Sequence, residues 1–349
     1  MRKTERSLAD KLGVGILATG WVSNEHIKAF QKNTHTEVMG ILSRDRGRAE
    51  AKAAEHGLRD CQAYTSLDEM LRNDDIRIVA ICTPHHLHAE QGIACAQAGR
   101  HVLVEKPIAL DLESLHALDD AIRKAGVRSV VSFVLRWNPL VETIKQMLKD
   151  GWLGELFYAE TDYMHPIESS YTGYEWIRRK EFGGNNMLTG GCHAVDALRW
   201  FAGGKAVEVF AYGNTGKHNR LGFGYDTNMI TSIKFDNGVI AKVGCSIEAH
   251  MPYVFNIVLM GEKGTVRNNQ VFSSHWPGQT GWATIPTILP DTAEVGHHPF
   301  AGEINHFVDC IRSGDESHCN VADAVETHEV CIAAEISARE GRPVKLPLK

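Results

Sequence analysis

Basic charge, long apolar runs and paired cysteines are all scarce in this 349-residue chain. Lys and Arg number 37 against 43 Asp and Glu, a net charge of −6. A general nucleic-acid binder carries a positive field, so no nucleic-acid partner is expected. The longest apolar stretches, among them 76–82 and 130–135, fall far short of the roughly 20 residues that cross a bilayer, so no membrane span is expected. The opening MRKTERSLADKLGVGIL has early positive charge but no apolar core followed by a small-residue cleavage site. A cytoplasmic location follows as the expectation. The cysteines, at 61, 82, 95, 192, 245, 310, 319 and 331, form no C-x-x-C pair. Most lie in apolar segments, where a free thiol behaves as a small hydrophobe, so neither a disulfide framework nor a cysteine-based zinc site is expected. Histidine is plentiful, with 18 copies, and His85-His86-Leu87-His88 invites a metal reading. No Cys, Asp or Glu in the same turn completes a ligand set, and no metal is expected.

What is present is an ordinary globular composition, 43% hydrophobic and 23% charged, at a length suited to two domains. Apolar runs at 12–17, 36–43, 76–83, 101–105 and 129–135 alternate with helical spacing at 24–32, 46–56, 66–72, 88–98 and 112–125. Strand–helix alternation of this length implies a doubly wound parallel sheet, expected over residues 1–130. Strand composition returns at 157–163, 207–212, 228–235, 239–247 and 254–260, with Asp236-Asn237-Gly238 as a hairpin turn. These strands, with helices near 140–149, 193–201, 301–312 and 321–338, are expected to build a second domain over residues 131–349. Loops are expected at 213–225 and 270–296.

The junction after the first strand is where a dinucleotide would bind, because backbone N–H groups and the positive helix end meet a pyrophosphate there. In the G-x-G-x-x-G frame the chain reads Ala18-Thr19-Gly20-Trp21-Val22-Ser23, keeping only the middle glycine. Gly13 and Gly15 lie within the strand and do not substitute for it. The second strand ends in Ser43-Arg44-Asp45. A hydroxyl and a guanidinium suit the 2′-phosphate of NADP, while Asp45 keeps the 2′-hydroxyl of NAD in play.

Three later segments are Thr83-Pro84-His85-His86-Leu87-His88, Glu105-Lys106-Pro107, and the run 183–196 (GGNNMLTGGCHAVD). Together they resemble the Gfo/Idh/MocA (glucose–fructose oxidoreductase / inositol dehydrogenase) family, over nearly the whole chain. The resemblance implies an NAD(P)-dependent oxidoreductase: an N-terminal Rossmann domain, then an α+β domain with a large open, mainly antiparallel sheet. That second domain would carry the substrate site and would often mediate homo-oligomers, dimers or tetramers. The substrate would be a sugar, polyol, glycoside or cyclitol, and hydride would pass between its ring carbon and the nicotinamide. Lys106 and His193 would be catalytic. Cofactor contacts would come from Thr19, Gly20, Trp21, Val22, Ser43, Arg44, Thr83, Pro84, His85, His88, Glu105, Lys106 and Arg136. Substrate contacts would come from Lys106, Trp137, His165, Trp176, Arg178, Thr189 and His193, with 297–300 at the pocket rim.

The chemistry of these residues is consistent with those roles. An ammonium beside an oxidised nicotinamide feels like-charge repulsion and partial desolvation, both of which ease proton release. Thr189, His193, Asp196 and Trp200 are spaced 4, 3 and 4, so a helix puts them on one face, where polar groups read as a site wall. Many family members carry Asp where Thr189 stands; a threonine can hold a substrate hydroxyl but does not ionise near neutrality, leaving the proton to Lys106 or His193. An alternative reading is a glycoside-modifying lyase, epimerase or glycosidase that keeps NAD bound through oxidation, elimination and re-reduction. A third is a sugar-sensing regulator without catalysis.

Overall fold

The structure, a computed structural model, describes residues 11–287 and 298–349. His297, read as a rim residue, lies outside the described residues, as do the polar lead-in and the last part of the expected 270–296 loop. Strands β1 (Leu12–Leu17), β2 (Thr36–Leu42), β3 (Gln62–Tyr64), β4 (Ile76–Ile81), β5 (His101–Val104) and β6 (Ser129–Val131) alternate with helices α1 (Trp21–Lys32), α2 (Arg46–Glu55), α3 (Leu67–Leu71), α4 (His88–Gln97) and α5 (Leu112–Ala125). All five strand pairings are parallel, in the order β3-β2-β1-β4-β5-β6. That is the Rossmann order. Near-continuous burial of β1 and β4 follows from helices on both faces of the sheet. On α5, Leu115, Leu118 and Ile122 recur at helical spacing and are the buried residues. A side chain at Gly13 would place its Cβ 2.2 Å from the Asp75 carbonyl oxygen, so this glycine serves close strand packing.

The chain then forms α6 (Pro139–Lys149), β7 (Leu156–Met164), α7 (Tyr174–Ile177), α8 (Lys180–Gly183) and α9 (Cys192–Ala202). After them come β8 (Ala206–Asn214), β9 (Asn228–Phe235), β10 (Ile240–Ser246), β11 (Val254–Gly261), β12 (Gly264–Arg267), β13 (Gln270–Ser273) and β14 (Ala283–Thr284). Helices α10 (Phe300–Ser313) and α11 (Val321–Glu340) and strand β15 (Val344–Lys345) complete it. The second sheet runs β14-β13-β12-β11-β7-β10-β9-β8-β15. Only β7 and β10 pair in parallel, so it is the mainly antiparallel sheet expected.

By its contacts the described chain separates into two compact units. One holds the chain up to Ala109 with Glu113–Ser132 and Phe300–Ala324; the other holds Leu110–Leu112, Phe133–Pro299 and Val325–Lys349. The sequence boundary had left Phe300–Ala324 with the second domain. This segment instead packs on the Rossmann sheet, because Val131 donates its N–H to the Cys319 carbonyl at 2.8 Å and Val321 donates to Ser129 Oγ at 3.1 Å.

Three local expectations change. The expected strand 129–135 ends at Val131, and residues Val134–Trp137 form a 3₁₀ turn leading to Asn138, whose side chain caps α6 at the Leu140 N–H, 2.9 Å away. The loop 213–225 carries buried Leu221, Phe223 and Tyr225. The expected loop 270–296 contains β13 and β14. No helix among the described residues is long and apolar enough to cross a membrane.

Candidate active site

In the first unit the sequence-predicted dinucleotide residues gather at the carboxyl ends of the strands, where ligands bind in doubly wound sheets. Thr19 to Val22 join β1 to α1. A Cβ on Gly20 would meet nothing within 4 Å, and α1 begins without a side-chain cap or an acidic residue in its first turn. Its first N–H groups therefore keep their donor capacity for an anion. Ala18, standing where the fingerprint has its first glycine, nonetheless takes φ = 90°, a left-handed geometry that glycine adopts more cheaply. Ser23 turns back, donating from Oγ to the Gly20 carbonyl at 2.6 Å.

At the end of β2, Asp45 is committed to capping α2, accepting from the Arg48 N–H at 3.2 Å. Ser43 is buried, Arg44 is exposed, and among the described residues no ion pair or side-chain hydrogen bond engages Arg44. Thr83 bonds Gln91 at 2.6 Å, and Pro84 leads into a 3₁₀ turn holding buried His85. His88 is almost fully buried, its two ring nitrogens 2.7 and 2.6 Å from the Pro107 and Thr83 carbonyl oxygens. Burial pulls its pKa below the ordinary value, and the two carbonyls offset part of that. The histidine thus ties the turn after β4 to the turn after β5, where Lys106 sits. Glu105 points inward: its carboxylate lies 2.8 Å from His26 Nε2 and accepts from the Lys106 N–H at 3.2 Å. Sequence reasoning gave no role to His26, which lies 79 residues from its partner. Taken together, the open Gly20 turn, the uncapped α1 and the exposed Arg44 fit a nicotinamide dinucleotide.

In the second unit His193 lies on α9, directly after a π-helical turn, Met187–Gly191. Glycine at 190 permits that turn to press on β7, since a Cβ there would sit 2.5 Å from the Tyr163 ring. The buried His193 ring stacks on Tyr163 with centroids 6.0 Å apart, and meets Phe133 and His298 edge-on at 5.9 and 6.4 Å. Tyr163 in turn places its hydroxyl 3.1 Å from His165 Nδ1, and burial holds its pKa well above the ordinary phenol range. His165 also meets Tyr171 and Tyr253 edge-on. These rings, contributed by β7, α9 and the segment after β10, make a compact aromatic and imidazole wall. Tyr253 escaped the sequence reading because no spacing rule links it to β7.

The expected polar stripe on α9 divides. Thr189 donates from Oγ1 to the Gly183 carbonyl at 2.9 Å and lies 3.2 Å from the Tyr225 hydroxyl, which donates to the Ile177 carbonyl at 2.8 Å. Its hydroxyl hydrogen is directed to backbone. Asp196 is bound by Arg136, Nε to Oδ2 at 2.7 Å and Nη2 to Oδ1 at 2.5 Å, with both side chains about 2% exposed. Thr327 adds a bond to Oδ1, and Trp200 lies under the Arg136 guanidinium. Arg136 thus forms an internal brace of this unit with Asp196. Trp137 is buried, and Arg178, partly exposed, bonds Glu175 and covers the Tyr174 ring. Trp176 is half-buried beside it. All eight cysteines are free thiols, and among the described residues no three His, Cys, Asp or Glu converge to hold a metal ion.

Residues 12–133 match the family model for the Gfo/Idh/MocA oxidoreductase family, NAD-binding Rossmann fold, and residues 141–267 match the Gfo/Idh/MocA C-terminal domain. The chain is similar to a scyllo-inositol 2-dehydrogenase (NAD(+)) of Bacillus subtilis, 26% identical, with 87% of each chain covered. It is also similar to a D-xylose 1-dehydrogenase (NADP(+)) of Haloferax volcanii, 27% identical over 95% of this chain and 99% of that one. Among solved structures, the WlbA dehydrogenase of Bordetella pertussis, in complex with NADH and UDP-GlcNAcA, superimposes with a TM-score of 0.81 at 25% identity, covering 97% and 100% of the two chains. With both domains matched and the dinucleotide turn in place, the chain belongs to the Gfo/Idh/MocA family of NAD-binding oxidoreductases and is an NAD(P)-dependent dehydrogenase.

Proposed function

We propose that this enzyme oxidises a ring hydroxyl of a sugar, glycoside or cyclitol, with Lys106 and His193 handling the hydroxyl proton. The observation that carries the reading is Lys106 at the carboxyl end of β5, in a turn fastened by His88 and Glu105. A bound nicotinamide supplies the hydride acceptor. Hydride departs from a carbinol carbon only as its O–H proton is withdrawn, so an amine and an imidazole are the chemistry required. His193, stacked on Tyr163 and flanked by Phe133, is held in one ring orientation. His165, Trp176 and Arg178 are proposed substrate contacts: an aromatic face and forked donors suit a polyhydroxylated ring. Similarity to inositol and xylose dehydrogenases supports a cyclitol or aldose.

A panel of cyclitols, aldoses and glycosides, including scyllo-inositol and D-xylose, run with NAD and with NADP at the absorbance of the reduced nicotinamide, tests it. Reduction of added cofactor by a member of the panel is expected. Turnover of a glycoside with no added cofactor would replace this reading with the cycle that keeps NAD bound, and sugar binding without turnover would replace it with a regulator.

A homo-oligomer is proposed as well. Tyr212, Ile230, Ile240 and Phe272 share one face of the second sheet and are exposed, Tyr212 by 70% and Ile230 by 61%. Clustered apolar side chains on an open face mark an interaction surface. A dimer or tetramer by light scattering that reverts to monomer on Ile230→Lys is expected; a monomeric wild type overturns it.

A further inference from the structure

We infer that Glu105 is a positioning residue, a buried carboxylate that holds the turn carrying Lys106 through the Lys106 backbone N–H. The inference rests on the reading of Lys106 as a proton-transfer group. Four other segments of the first unit gather around this carboxylate. His26 from α1 is fully buried, has Nε2 2.8 Å from Glu105 Oε1, leaves Nδ1 without a partner, and sets its ring edge-on to Phe300 at 5.0 Å. Cys82 follows β4, and its thiol is pushed up by burial and by the charge of Glu105 and Glu303. Ser132 follows β6 and bonds both carboxyl groups, its Oγ 3.2 Å from Glu303 Oε2. Glu303 on α10 is fully buried.

The two acids are asymmetric. Burial pushes Glu105 up, but His26, Lys106 and Ser132 outweigh it and hold the carboxyl below its ordinary range. Burial, and after it the neighbouring Glu105 charge, push Glu303 well above its own. Ser132 donates from Oγ to Glu303 Oε2, and Glu303 Oε1 is left without a partner. Apolar residues in this space would stabilise the unit better than a half-satisfied polar cluster. The bond that leaves the cluster goes to the Lys106 N–H, and orienting that residue is what the arrangement achieves.

The test uses Glu105→Gln, Glu303→Gln and Lys106→Ala in the full chain, with NADH fluorescence, the substrate identified by the panel, and hydrogen exchange of the Lys106 amide. Glu105→Gln keeps the shape but sets an amide NH₂ or a lost bond against the Lys106 N–H. It is expected to lower kcat roughly tenfold or more, with KM and NADH dissociation within about threefold and faster exchange at Lys106. Glu303→Gln alters the neighbouring acid while leaving the bond from the Lys106 N–H to Glu105 in place, and is expected to cost less than about fivefold. If Glu105→Gln does not fold, His26→Gln takes its place, with the same loss confined to kcat. Full kcat in Glu105→Gln beside an inactive Lys106→Ala overturns the inference and leaves the proposed function standing. An effect confined to NADH binding also overturns it, as Glu105 would then act on the cofactor. An active Lys106→Ala overturns the reading of Lys106 and this inference with it.

Discussion

Each unit buries a carboxylate, and the two are satisfied by different partners. In the second unit Asp196 faces the guanidinium of Arg136 in a two-pronged pair, with Thr327 and Trp200 closing around it. In the first unit Glu105 faces a histidine, a hydroxyl and a backbone N–H, beside a second buried acid, Glu303. A planar fork matches a carboxylate completely and immobilises it, which suits a brace. The looser set around Glu105 leaves one bond directed at the Lys106 N–H. The same difference separates the histidines: His88 lies between two carbonyls, whereas His193 stacks on Tyr163 and meets Phe133 and His298 edge-on.

The sharpest way to break this comparison is to remove the proposed chemistry itself. Lys106→Ala and His193→Ala are each expected to lower kcat by about 10²–10⁴-fold while NADH still quenches protein fluorescence with near-normal affinity. Near-normal turnover of either at saturating substrate would remove that residue from the proton path, with His165 next to be tested. Asp196→Ala, by contrast, should act on stability, since it strands a buried guanidinium at a cost of about 3–5 kcal/mol in denaturant unfolding. An Asp196→Ala protein as stable as the parent would show that the brace is dispensable.

Smaller effects sharpen the first unit. Arg44→Ala should weaken NADP by about 1.5–3 kcal/mol and leave NAD nearly unchanged in isothermal titration, because Asp45 caps α2 and Arg44 is the exposed charge at that strand end. Equal losses for both cofactors would mean that Arg44 lies against the adenine. Ala18→Gly should raise unfolding stability by about 0.5–1 kcal/mol by relieving the left-handed backbone. A lower melting temperature for that variant would mean that the alanine methyl makes contacts worth more than the strain.

Much of the architecture was legible because its signals are local. The apolar run of β4, the helical spacing of α5, and the order of strand and helix through residue 125 depend on neighbours within a turn or two. Strand ends were less so: β6 stops early because Asn138 begins a new helix, and that competition is decided by packing. Among site residues, Lys106 stood out through Glu105-Lys106-Pro107, and His193 through the glycine-rich run before it. Thr189 and Arg136 were placed toward ligands through the segments that resemble the family, and the structure shows internal partners for both.

What the sequence by itself determined is the two-part plan, the parallel sheet and the dinucleotide turn. Periodicity and short motifs specify these because each arises from bonds between residues close along the chain. Only tertiary structure decided what the charged groups do. Glu105 meets His26 across 79 residues, Ser132 meets Glu303 across 171, and Arg136 meets Asp196 across 60. A buried charge takes the partner that folding delivers to it, and no local pattern records which one that is.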